Sequence, residues 1–173
     1  GSYTVVVTTA EGCTNSETFD VPEPDPINVL SVISQVTCNG DCDGAIDITI
    51  EGGTMDYTVI WTGPNFSASS QDINGLCAGV YTLEIIDNNG CTYSEEFTIL
   101  QPEPISIILI DEGASSCNQA IGFVEVEAIG GNDMFTYVWT NSAGDTVSMD
   151  ALADLLPADT YNVEVTDALG CLL

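Results

Sequence analysis

The sequence predicts an all-β chain, built as tandem immunoglobulin-like β-sandwich domains in an extended array. Three observations carry this expectation. Apolar residues make up 45% of the 173 positions. They alternate with polar ones in YTVVVTT, AIDITI, YTLEII, FVEVEAI and YNVEVTD, the period-two pattern of half-buried strands. No amphipathic helical stretch of comparable length occurs, and EGG, TGPN, INGL and DNNG punctuate the strands as turns. Finally, the chain repeats itself: the stretch from Gly1 to Val29 returns from Gly79 to Ile107, and returns again from Asp159 to Cys171. Repetition at the length of a whole small domain indicates beads on a string rather than a solenoid of short units.

This periodicity divides the chain into residues 1–26, the C-terminal strands of one repeat; 27–104, a complete sandwich; and 105–173, a sandwich lacking its last strand. In the complete repeat, strand A is expected near 27–37, B near 44–50, C near 57–61, E near 70–75, F near 80–86 and G near 92–99, with D short or absent. Two strands have no core of their own, so residues 1–26 are expected to pack on further material. The rival reading is donor-strand exchange between subunits. With no initiator Met, leader or apolar run of membrane-spanning length, targeting signals are expected elsewhere in a longer product.

Side chains at matching positions mark the core. Tyr3, Tyr81 and Tyr161 fall where a tyrosine corner buries its ring and caps a loop backbone group. Trp61 and Trp139 end strand C and read as core anchors, with an aromatic ligand platform as the alternative.

Composition excludes whole classes of function. The chain has 27 Asp plus Glu and no Lys, Arg or His, so no salt bridge between side chains can form. A uniformly anionic surface repels nucleic acid and anionic membranes, so neither is expected as a direct partner, and this segment is not expected to insert into a bilayer. The plainest role of the acid is solubility; resistance to proteases that cut after Lys or Arg and attraction of divalent cations are sharper ones. Without imidazole, amine or guanidinium groups there is little material for catalysis, so no catalytic residue is assigned and an enzyme is not expected. The linkers VPEPDPI and LQPEPI read as short, stiff spacers. Their carboxylates Glu23, Asp25 and Glu103 are the weak candidates for metal ligands; no cofactor is called for, and Ca2+ is the ion they would share. The Asp87–Gly90 and Asp167–Gly170 segments lack alternating oxygen ligands and read as hairpin turns.

The succession Cys38, Gly44, Gly52-Gly53, Tyr57, Trp61, Leu76, Ala78-Gly79, Tyr81-Thr82, Asp87, Gly90-Cys91 resembles the SprB-type repeat of giant Bacteroidota cell-surface adhesins. The likeness covers the full repeat and most of both partial ones. Two features depart from it: Asp56 and Met134 stand where family members often carry Pro, and Asp159 replaces the Gly before Tyr161. The resemblance implies an extracellular, cell-surface location, export by the type IX route and long filaments that a gliding motor moves. The expected function is therefore a structural spacer in a filamentous adhesin, advancing roughly 35–45 Å per domain. Its partners would be neighbouring repeats of the same chain, with an external surface or polysaccharide beyond them. A glycan- or Ca2+-binding adhesion module and a passive stalk presenting a distal head are the alternatives. Asp145-Thr146-Val147 also fits a short O-glycosylation pattern of the same bacterial group, which makes Thr146 a candidate in an exposed loop.

Seven cysteines in an exported array point to disulfides. Cys42 and Cys77 are both missing from the third unit, where Ala120 and Pro157 stand, and both fall at one pole of the expected sandwich; they are expected to pair. The rest recur at the A-to-B junction (Cys38, Cys117) and in the F-to-G hairpin (Cys13, Cys91, Cys171). Pairing within a repeat would join Cys38 to Cys91. Those turns lie at opposite poles, however, roughly 20–25 Å apart, and a disulfide needs Cα atoms within about 7 Å. The A-to-B pole of one domain instead meets the F-to-G pole of the next, which favours Cys38 with Cys171 and leaves Cys13, Cys91 and Cys117 to bond with units outside this stretch.

Overall fold

The computed structural model describes residues 1–115 and 121–173, and every regular element among them is a β-strand. Strands β1 (Ser2–Thr8) and β2 (Thr14–Asp20) form an isolated antiparallel hairpin. The next seven are β3 (Asn28–Ser34), β4 (Gly44–Glu51), β5 (Thr58–Gly63), β6 (Phe66–Ala68), β7 (Ile73–Leu76), β8 (Gly79–Ile86) and β9 (Thr92–Ile99). They make two antiparallel sheets, ordered β3-β4-β7 and β6-β5-β8-β9. In immunoglobulin terms these are A-B-E against C′-C-F-G: the short β6 pairs with β5 and so belongs beside strand C, not at position D.

Alternation in the sequence becomes burial here. Strand β4 buries Ile46 and Ile48, and β8 buries Tyr81, Leu83 and Ile85, while the residues between them face outward. These side chains meet Trp61, Leu76, Phe97 and Ile99 in one core. Trp61 is completely buried, and its indole N–H donates to the Gln71 carbonyl at 3.2 Å, so the ring's one polar group is satisfied.

The remaining strands are β10 (Ser106–Gly113), β11 (Gly122–Ile129), β12 (Thr136–Thr140), β13 (Thr146–Ser148), β14 (Leu152–Leu156) and β15 (Asn162–Thr166). They repeat the plan as sheets β10-β11-β14 and β13-β12-β15. Among the described residues the far side of β15 carries a single bridge, from Thr166 to Leu172, and the core forms two smaller clusters, one around Trp139 and one around Val165. Trp139 keeps the same role, donating to the Asp150 carbonyl at 2.9 Å.

Tyr3 corrects an expectation. It faces Phe19 across the β1–β2 pair, as Tyr81 faces Phe97 across β8–β9, yet it is 63% exposed and not a core residue in this chain. Among the described residues its hairpin has no second sheet to close on, so the pattern that buries Tyr81 leaves Tyr3 in solvent. Thr146 is exposed, but it opens strand β13 rather than lying in a loop.

Candidate functional site: the junction between sandwiches

The linker from Leu100 to Ile105 is pinned at both ends. On the preceding side, the Leu100 amide donates to the Gln35 side chain at 2.5 Å, and its carbonyl accepts from the Val36 amide at 3.0 Å. The Asn39 side chain donates to the Pro102 carbonyl, and the Gly40 amide to the Gln101 side-chain oxygen, both at 2.9 Å. On the following side, the Gly131 amide donates to the Glu103 carbonyl at 2.8 Å. Prolines at 102 and 104 fix φ and offer no donors, so apart from the Leu100 amide and the Gln101 side chain the linker is held through the carbonyls of Leu100, Pro102 and Glu103.

Gly130 explains why a Gly-Gly pair recurs. Its φ is +82°, and a Cβ there would lie 2.2 Å from the Pro104 carbonyl oxygen. Gly52 repeats this against Pro26, at φ +73° and 2.1 Å. The linker backbone therefore rests directly on a glycine that tolerates both the conformation and the contact.

A covalent link closes the junction. Cys38, in the turn after β3, is disulfide-bonded to Cys171, in the turn after β15, with Cα atoms 5.5 Å apart. The Asp41 amide donates to the Cys38 carbonyl and tightens the first turn at 3.1 Å. Hydrogen bonds from the Thr37 side chain and amide hold the Asp43 carboxyl below its ordinary value, so an ionised carboxylate anchors the same turn.

Asp167 organises the second turn. It is only 6% exposed, yet every oxygen is used: Oδ1 accepts from the Leu169 and Cys171 amides at 2.9 Å, and Oδ2 from the amide and side chain of Asn132 at 2.8 Å. Burial opposes its ionisation, but the donors from Cys171, Asn132 and Leu169 prevail and keep the carboxyl below its ordinary range. Asp87 does the same in the first sandwich, accepting from the Asn89, Cys91 and Thr54 amides. These segments are the turns the sequence predicts, with Gly90 and Gly170 at φ +84° and +88°, and the carboxylate clamp is an addition the sequence reading does not contain. The signal for the clamp was present: an Asp four positions before the cysteine in both repeats, with Thr9 before Cys13, where the Thr9 hydroxyl accepts from the Cys13 amide at 3.3 Å.

In the same turn of the first sandwich as Cys38, Cys42 is bonded to Cys77. Tyr81 ties that link to the core, its hydroxyl donating to the Cys77 carbonyl at 3.0 Å. In the second sandwich the half-buried Tyr161 donates to the carbonyl of Pro157, at 2.8 Å. Cys13 and Cys91 are free and exposed. Cys117 and Ala120 lie outside the described residues. Glu23 and Asp25 share one linker and Glu103 lies in the next; among the described residues no three carboxylates or cysteines converge as a metal site.

The sandwich that supplies Cys38 is also the one that a family model identifies. Residues 30–66 match the SprB repeat. The match runs from within β3 to the first residue of β6 and takes in Cys38, Cys42, Gly52-Gly53 and Trp61. This stretch of the first sandwich is thus similar to an SprB repeat, a likeness that suggests a cell-surface adhesin segment. Comparison with curated proteins finds no match. Two departures from the SprB repeat pattern have a conformational counterpart: Asp56 has φ +73° and Met134 φ +50°, values that a proline ring forbids.

Proposed function

We propose that this chain is part of a filamentous adhesin exported to the cell surface, in which SprB-type sandwiches divided near 26/27 and 104/105 serve as an anionic spacer for surface attachment and gliding. The observation that carries the reading is the junction itself: a linker held from both sides and doubled by the Cys38–Cys171 disulfide. A jointed string would need neither device. With two covalent paths between successive domains, a pull along the array is shared between linker and disulfide, and the angle between domains is held under drag. Cys13, Cys91 and Cys117 take part in the same staples with neighbouring repeats. Gliding and type IX export rest on the resemblance to the SprB adhesins.

Two measurements on isolated filaments test this. Imaging is expected to give an axial repeat of roughly 35–45 Å per domain. Non-reducing peptide mapping is expected to recover Cys38 joined to Cys171, whereas Cys38 joined to Cys91 would overturn the stapled junction.

A further inference from the structure

We propose that the groove between Glu23–Ile27 and Cys91–Thr92 is a receiving site for a Cys-Asn-Gly turn of another SprB-type repeat. The inference rests on the spacer reading above and names the partner of its second junction.

Pro102, Glu103, Pro104 and Ile105, with Cys171 and Leu172, form the surface on which the Cys38 turn sits. Pro24, Asp25, Pro26, Ile27, Cys91 and Thr92 stand at the matching positions and line a groove of their own. The two are held in the same way. Gly53 donates to the Asp25 carbonyl at 2.7 Å as Gly131 does to Glu103 at 2.8 Å. Asp87 accepts from the Cys91 amide at 2.8 Å as Asp167 does from Cys171 at 2.9 Å. The open groove holds about 680 Å³, against about 370 Å³ where the Cys38 turn fills part of the space.

The contacts of the filled groove define the ligand of the open one. Asn39 donates to the Pro102 carbonyl, and the Gly40 amide donates to the Gln101 side chain. Pro24 offers the same carbonyl, and Glu23 stands in place of Gln101 with a carboxylate that accepts the glycine amide. An incoming turn is thus read at three points: Asn on Pro24, Gly on Glu23 and Cys on Cys91.

The covalent step is thiol–disulfide exchange, with a small-molecule disulfide as oxidant. The turn cysteine arrives as a mixed disulfide, and the Cys91 thiolate, its proton given to solvent, attacks the turn sulfur. The new Sγ–Sγ bond forms, the old S–S bond breaks, and the small thiol leaves as a thiolate and takes up a proton. Asp87, with burial and Glu23 adding to it, holds the Cys91 thiol above its ordinary pKa, so Cys91 has no intrinsic advantage towards a bare reagent.

The probe is the seven-residue peptide with the sequence of Gln35–Asp41, its cysteine linked to thionitrobenzoate, added to the whole chain beside a scrambled peptide activated in the same way. Adducts are assigned to Cys91 or Cys13 by mass spectrometry. The ratio of Cys91 to Cys13 adduct is expected to be about tenfold higher for the true sequence, with Glu23→Gln retaining the preference and Glu23→Ala reducing it. Equal ratios for the two peptides overturn the groove. The same digest reports the Cys38–Cys171 peptide: its presence alongside equal ratios sinks this inference alone, and its absence sinks the junction reading itself.

Discussion

The side-chain amide of Asn132 donates to the carbonyl of Thr37 in the preceding sandwich at 3.0 Å. The same nitrogen lies 2.8 Å from the carboxylate of Asp167, which also holds the turn carrying Cys171. One asparagine therefore couples the orientation of the disulfide-bearing turn to the backbone beside the other half of that disulfide. Thr54 stands at the matching position of the first sandwich, and its hydroxyl accepts from Asn89 of its own domain.

Asn132→Thr should therefore loosen the junction without unfolding either sandwich. Spin labels placed on β4 and β11 are expected to show a broader distance distribution in the variant, broader again when Cys38 and Cys171 are both replaced by Ser. Unchanged distributions in both variants would show that the linker alone fixes the angle.

The Cys42–Cys77 link acts inside one domain and should behave differently. It closes a loop of 35 residues in sequence separation, and its removal by paired Ser substitutions should destabilise the first sandwich by about 2–4 kcal/mol. The second sandwich has Pro157 where the first has Cys77, so its urea transition should not move. A shift of both transitions together would mean that the two domains unfold as one unit.

Tyr81→Phe removes one hydrogen bond to the Cys77 carbonyl and leaves the ring in place. Because Tyr81 is buried, a loss of about 1 kcal/mol is expected, and less for Tyr161→Phe, where water can reach the Pro157 carbonyl in place of the hydroxyl. Equal losses would contradict the difference in burial.

Strands and core were legible in the sequence because alternation encodes burial directly, and Ile46, Ile48, Leu83 and Ile85 could be read from it. Trp61 and Tyr81 could be read because their size and repetition leave few other places for them. The junction was only half legible. Cysteine pairing follows from which poles meet, and that is a question of topology. The Asp87 and Asp167 clamps were hidden because a buried carboxylate in a chain of 27 acids looks like one more surface charge. Each draws its donors from its own turn and from a distant loop, at Thr54 for Asp87 and at Asn132 for Asp167, a pairing which no local pattern displays. Tyr3 has the same local pattern as Tyr81, and its burial waits on a second sheet that is not among the described strands.

Asp87 makes a pH prediction with a definite sign. Its folded pKa lies below the ordinary 3.8, so its contribution is complete above that value and drains away as pH falls through the folded pKa. Exposed carboxylates act in the other direction, since their protonation relieves repulsion. The difference between wild type and Asp87→Asn isolates the clamp: the wild type should be the more stable above about pH 4, and the gap should close below it. A gap that stays constant with pH would mean that the clamp acts through shape and not charge.

The surface acids should respond to ionic strength rather than to a particular ion. With a net charge of −27 and no cationic side chain, every long-range interaction between side chains is repulsive, and raising salt from about 0.01 to 0.15 M shortens the screening length from roughly 30 to 8 Å. The melting temperature should therefore rise with NaCl. Ca2+ held by Glu23, Asp25 or Glu103 would add a further increment, because a ligand that binds only the folded state stabilises it by mass action. Glu23 and Asp25 lie in one linker and Glu103 in the next, and among the described residues the three do not converge as a metal site, so at matched ionic strength Ca2+ should raise the melting temperature no more than Mg2+ does, and EDTA should leave it where it was. A Ca2+-specific rise that Glu23→Gln abolishes would instead establish a junction ion site and make the filament's stiffness depend on calcium.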